Sequence, residues 1–303
     1  MDYTFINIAE GIIKNDISLL FENWQPESES VVFFSPHDDD ALLGAGYLLR
    51  LLIQMGVSAH VVIFCKGDAG YSDIGQKNEI TRIRETETIQ AYGILGLQPD
   101  RIHRFGITDF GLVRHLGWDG PENTGHLIKN PRLKTPNAGQ HSHLTQTDGV
   151  FGAIIALLRD LKATRLIIPN GYREHTDHEA VHYIGRYYGV QANDPILADL
   201  GTPTVMKSVL VYSVWADFPP EDAVVGKRNT MLRANAGMIA DESTETIVMQ
   251  AVAAYQSQTR IINNLVEERQ SRKCRLGYME LYQRYEPRPK LDYSPYVEWL
   301  NNI

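Results

Sequence analysis

Short strand-like runs alternate with helix-length segments along the first two thirds of this chain, and that alternation constrains the fold more than any other feature. Ser30 to Phe34, Val57 to Phe64, Arg101 to Phe105, Arg165 to Pro169 and Lys207 to Trp215 read as strands rich in β-branched and aromatic residues. Between them, Ala41 to Met55, Glu79 to Leu95, Val150 to Leu161 and Ala180 to Tyr188 read as helices, the first two closed by Gly56 and Gly96. Strands apolar along their whole length are buried on both faces. The pattern predicts an α/β fold: a Rossmann-like, mostly parallel sheet with helices on both faces. We read the 303 residues as a single domain with its core at about 30–260 and a helical C-terminal extension from about 244. In that extension, Thr244 to Arg272 is expected to be one long amphipathic helix and Tyr278 to Tyr285 a short final one.

A net charge of -8 argues against general nucleic-acid binding, which relies on Lys and Arg meeting phosphates. It also argues against charge-driven adhesion to anionic membranes. Two cysteines, Cys65 and Cys274, cannot supply a cysteine-built zinc site or a disulfide framework. The N-terminus lacks the pattern of a secretory signal, and no run reaches the roughly 18 apolar residues of a membrane span. The expectation is a cytoplasmic protein with no integral membrane segment and no nucleic-acid partner.

Ligands of such folds bind beyond the carboxyl ends of the strands, so polar clusters there are the candidate sites. The first strand runs into Pro36-His37-Asp38-Asp39-Asp40. One Asp could cap the following helix. Three in a row beside a His, at the edge of an apolar helix, repel one another unless a cation is near. Imidazole and carboxylate suit Zn2+, and the same donors admit Fe2+ or Co2+. His37 with one or two of the aspartates supplies only part of a ligand set.

The strand ending at Pro169 is followed by Asn170-Gly171-Tyr172-Arg173-Glu174-His175-Thr176-Asp177-His178-Glu179-Ala180. A helical turn would put His175 and His178 on one face, with Asp177 placed to orient an imidazole. His178 with His182 is a rival metal pairing. Either cluster alone is weak; both lie at one end of one sheet, where their side chains could converge.

Taken together, these motifs resemble those of the PIG-L/LmbE-like zinc-dependent N-deacetylases. Pro36-His37-Asp38-Asp39-Asp40-Ala41 stands for the family's H-P-D-D-E and His175-Thr176-Asp177-His178 for its H-x-D-H. Arg84-Glu85-Thr86-Glu87 is similar to its R-E-x-E, and Ala251 to Gln258 to a helix ending in S-Q. The resemblance runs from about Val31 to Gln258; Asp38 departs from the usual Pro and Ala41 from the usual Glu. It implies that His37, Asp40 and His178 bind zinc and that Asp39 is the general base acting on the metal-activated water. His175 would lie beside the oxyanion as electrostatic stabiliser or general acid, held by Asp177, and Arg84 would bind the substrate. The Gly67 to Tyr71 loop, with Asp68, would form a rim that touches substrate. The implied reaction removes an N-acetyl group from a small-molecule amino sugar or its conjugate. A non-sugar amide such as a thiol conjugate is the alternative substrate, and a non-catalytic metal- or sugar-binding module the alternative class.

Among other features, Gly44-Ala45-Gly46 completes no dinucleotide fingerprint. His60 and His103 fall in strands and read as structural, and His141 with His143 as a solvated loop. The long Gly106 to Gly149 segment is expected to wall the mouth of the site.

Overall fold

In the computed structural model, which describes residues 3–116, 149–220, 232–289 and 291–303, the apolar runs form strands of one large mixed sheet. The strands are β1 (Thr4–Asn7), β2 (Ile12–Lys14), β3 (Ser30–Ser35), β4 (Ser58–Cys65), β5 (Ile102–Ile107), β6 (Arg165–Pro169), β7 (Ser208–Tyr212), β8 (Ala236–Ala240), β9 (Lys273–Cys274) and β10 (Gly277–Tyr285). Five of them lie in the order β7-β6-β3-β4-β5, all parallel, with β3 and β6 adjacent and paired Val31 to Arg165 and Phe33 to Ile167. Chain order therefore reverses between β3 and β6, the switch point at which such sheets bind ligands. Beyond β7 the sheet continues antiparallel through β10, β8, β1 and β2.

The helices among the described residues are α1 (Asp40–Gln54), α2 (Ile80–Leu95), α3 (Leu112–His115), α4 (Gly149–Asp160), α5 (Thr176–Tyr183), α6 (Glu242–Val252), α7 (Thr259–Arg269) and α8 (Ser294–Asn301), the last exposed along its whole length. The period-two rule sorts the core into two layers. Val31 and Phe33 join Leu48, Leu52, Tyr92 and Val248 on one face. Val32 and Phe34 join Ile154, Leu158 and Val181 on the other. Helices thus cover both faces, as the uniformly buried strands require.

Helix α1 is buried nearly all round and is broken at Ala45, where φ is -143°. The carboxylate of Glu280 accepts hydrogen bonds from the backbone N–H groups of Tyr47 (2.8 Å) and Leu48 (3.2 Å), replacing the helical bonds that the kink forfeits. At Gly44 a Cβ would overlap the Tyr212 ring, so the Gly-Ala-Gly stretch serves close packing.

Three expectations are corrected. Tyr278 to Tyr285 is not a helix: it belongs to β10, between β7 and β8, and its Tyr278, Glu280 and Tyr282 alternate inward. Thr244 to Arg272 is not one helix but α6 and α7, parted at Ala253 to Gln258. The break is fixed from far away, since Glu87 accepts from both the backbone N–H (2.8 Å) and the hydroxyl (2.6 Å) of Ser257. The C-terminal extension is consequently mixed rather than helical, and its strands finish the sheet. Of the Gly106 to Gly149 segment, residues 117–148, with His141 and His143, lie outside the described residues.

Candidate metal centre

The β3–α1 junction does not behave as a simple cap. Asp39, at the N-cap position, makes no side-chain capping bond; the Ala41 N–H is instead satisfied by the Ser35 hydroxyl at 3.0 Å. The three aspartates are free to point three ways. Asp40 Oδ2 turns back to accept from the His37 N–H at 2.8 Å and meets His37 Nδ1 at 3.1 Å. From the neighbouring β6–α5 junction, His178 Nε2 meets the same oxygen at 3.1 Å. The two stretches therefore converge: one donor atom each from His37, Asp40 and His178 lies within 4.8 Å of the others.

The donor set fits a divalent cation. Two imidazole nitrogens share one buried carboxylate oxygen, the arrangement of first-row metal ligands. Each imidazole also has its other nitrogen on a second carboxylate, His37 Nε2 on Asp177 at 3.4 Å and His178 Nδ1 on Glu174 at 3.1 Å. Such partners orient a ligating His and fix its tautomer. Burial alone would push both imidazoles down. The Asp177 and Asp40 carboxylates overcome it at His37, holding it up at about 10. Asp40 and Glu174 do the same at His178, at about 9. Asp40 is held well below the usual carboxylate range, against its burial, by the two imidazoles. Without a metal, the cluster holds protons where a cation would carry the charge.

His175 N-caps α5: its Nδ1 accepts from the Asp177 N–H at 3.2 Å. That leaves the proton on Nε2. Burial and the neighbouring His37 push its pKa down, toward the neutral form. The expected His175–Asp177 carboxylate contact is long, 3.6 Å. Asp177 Oδ2 instead accepts from the Phe110 N–H at 2.8 Å. Phe110 has φ of 60°, rare for a bulky residue, and its ring lies 4.5 Å from that of His175.

Arg84, opening the R-E-x-E stretch on α2, is buried between two aspartates. Its Nε pairs with Asp38 Oδ2 at 3.0 Å and its Nη2 donates to Asp39 Oδ1 at 3.0 Å. Asp39 Oδ2 has no hydrogen-bond partner among the described residues. Asp38, fully buried, also accepts from Thr88 Oγ1 at 2.8 Å and pairs with Arg104. Asp38 thus faces away from the metal cluster.

A cavity of about 520 Å³ opens over these groups, lined by His37, Asp39, Asp40, Arg84, His175 and His178, with Phe110, Trp215 and Ile261 among its apolar walls. Asp68 does not line it. Its carboxylate accepts from the Asp109 N–H at 2.9 Å and pairs with Lys66 at 3.0 Å. Asp109 in return accepts from the N–H groups of Gly67 (2.8 Å) and Ala69 (3.0 Å), so the two clasp the rim loop. The rival pairing through His182 is not formed; its Nδ1 lies 2.8 Å from the Pro169 carbonyl. His60 and His103 contact each other at 3.1 Å within the sheet. Glu174, Asp109 and Trp215 were not anticipated. Glu174 alone was legible, four residues before His178 on the same turn.

Fold and site together define a Rossmann-like α/β protein with a His/Asp cluster at the sheet's switch point. The chain belongs to the family described as PIG-L: GlcNAc-PI de-N-acetylase, whose model matches residues 32–188, more than half of its length. No curated protein sequence matches it significantly. Similar solved structures include the conserved protein TT1542 from Thermus thermophilus, at 19% identity and TM-score 0.59, covering 88% of this chain and 98% of that one. The N,N'-diacetylchitobiose deacetylase from Pyrococcus horikoshii is similar at 16% identity and TM-score 0.59, covering 89% and 91%. GalB, the 4-carboxy-2-hydroxymuconate hydratase from Pseudomonas putida, is similar at 14% identity and TM-score 0.53, covering 87% and 99%. The fold thus carries more than one reaction, and the reaction of this chain has to be argued from its site. No described helix is long and apolar enough to cross a membrane.

Proposed function

We propose that the protein is a metal-dependent N-deacetylase acting on a small-molecule N-acetylated amino sugar or its conjugate. The observation that carries this reading is the convergence of His37, Asp40 and His178 beneath a cavity that also holds Asp39. A divalent cation held by those three side chains, for which zinc suits the donors, supplies Lewis-acid polarisation of the acetamide carbonyl and a more acidic water. Asp39, with one oxygen held by Arg84, has Oδ2 available to take the proton of the attacking water and return it to the departing nitrogen. His175, whose Nδ1 is occupied, presents Nε2–H to the carbonyl oxygen as negative charge builds there. Glu174 and Asp177 keep the ligating imidazoles in place. Family membership favours the deacetylase reading over a binding module, which has no use for an unoccupied base.

An acetate-release assay over N-acetylated sugars, their conjugates and non-sugar amides tests this. Free amine and acetate should appear from the sugar class. Asp39→Ala should lower turnover about 10²–10⁴-fold while metal content stays at the wild-type value. Acetate from no member of the panel would overturn the activity, and full turnover in Asp39→Ala would remove Asp39 from the role of base.

A further inference from the structure

Asp38 occupies a place where the resembled motif has an uncharged proline, and a buried carboxylate there needs a reason. It is fully buried, faces two guanidinium groups and a hydroxyl, and lies next in sequence to Asp39. The charges alternate through space as Arg104, Asp38, Arg84, Asp39, so each inner member faces two opposite charges. A planar guanidinium with donors in a fixed fork can span two carboxylates, which a lysine ammonium cannot do with the same geometry. Arg84 is held by a hydrogen bond from Nη2 to Asp39 and by ion pairing of Nε with Asp38. The loop leaves room for little else: a Cβ at Gly67 would meet Arg84 Cδ at 2.7 Å, and one at Gly70 would meet Nη1 at 2.5 Å.

We infer that Asp38 is a positioning residue that commits Arg84 to Asp39, so that in this chain Arg84 sets the geometry of the base rather than the affinity for substrate. Arg104 and Thr88 hold Asp38 in turn, which carries the arrangement back to β5 and α2. The activity readouts of this inference rest on the deacetylase reading; its structural readout does not.

Asp38→Asn keeps the shape of the side chain and removes its charge. It should lower kcat about 10–100-fold, the scale of a misplaced catalytic group, with KM within about twofold and metal content unchanged. Arg84→Lys, which keeps one buried positive charge, should behave alike. Asp38→Asn combined with Arg84→Gln should be no slower than Arg84→Gln alone, because residues acting through one contact are not additive. A purely structural Asp38 would lower the melting temperature and leave kcat per folded molecule intact; a substrate-binding Arg84 would raise KM at constant kcat; additive losses would show two independent roles. Each of these results overturns the inference. A crystal structure of Asp38→Asn gives the activity-independent answer: Arg84 should leave Asp39. An unchanged Arg84–Asp39 contact overturns the inference even if the wild type deacetylates nothing on the panel.

Discussion

Strands β3 and β6 bury a carboxylate at each end, and the two ends have opposite chemistry. At the amino end, Glu29 is held by a guanidinium, an ammonium and a hydroxyl. Arg165 Nη2 (3.1 Å) and Lys207 Nζ (2.9 Å) meet Oε1, and Arg165 Nε (3.1 Å) and the Thr164 hydroxyl (2.5 Å) meet Oε2. At the carboxyl end, Asp40 is met by two imidazoles that are cationic only when protonated. The first cluster is closed, because no ion can replace a guanidinium fixed by its own chain. On the proposed function the second is exchangeable: two protons would leave as one divalent cation entered. A buried ion cluster is therefore a brace or a metal centre according to whether its positive members can discharge.

The sharpest way to break this contrast is to neutralise one carboxylate at each end. Asp40→Asn should abolish stoichiometric metal binding and turnover while sparing the fold. Glu29→Gln should leave metal content intact and cost about 3–5 kcal/mol, since the buried Arg165 guanidinium loses its partner. Chemical denaturation with metal analysis of both variants reads the two effects together; the same phenotype from both ends would erase the distinction.

Exchangeability is also visible in protons. With His37 near 10 and His178 near 9 in the metal-free protein, both are protonated at pH 7. Metal uptake at that pH should release on the order of two protons, measurable by titration calorimetry in buffers of different ionisation enthalpy. No buffer dependence would mean that the imidazoles are already neutral.

The two ends should differ in their pH signatures as well. Glu29 is pushed down to about 2, despite burial, by Arg165, Thr164 and Lys207. A depressed carboxyl stabilises the fold above its unfolded value of 4.5, and that contribution is lost as pH falls toward about 2. Acid denaturation of the wild type should therefore steepen over that window, and Glu29→Gln should flatten it. The raised imidazoles act with the opposite sign: they stabilise the metal-free protein fully below 6.5 and lose that contribution as pH rises through 9 to 10. Bound metal should remove this alkaline loss. The smallest expected effect is Gly44→Ala, one helical turn beyond Asp40, which should cost about 1–3 kcal/mol through overlap with Tyr212.

What was legible in the sequence follows the same division of the molecule. The parallel strands β3 and β6 announced themselves because burial on both faces favours apolar runs, and His37, Asp39, Asp40, His175 and His178 sit in two contiguous stretches beyond them. The antiparallel part did not. β8 is Ala-Gly-Met-Ile-Ala, with little β-branched character, and β10 buries Glu280 on one face and Gln283 on the other, each with a partner outside the strand. The break between α6 and α7 depends on Glu87, 170 positions from Ser257, a contact no local pattern encodes. Asp68 shows what no local pattern could give, since its clasp with Asp109 joins the rim loop to a residue 41 positions away.

The account depends on one ion held jointly by side chains from two junctions of the sheet. Metal analysis of His178→Ala against wild type, both loaded with zinc and desalted, tests it most directly. About one ion per wild-type chain and close to none in the variant is the predicted result; wild-type stoichiometry in His178→Ala would contradict it.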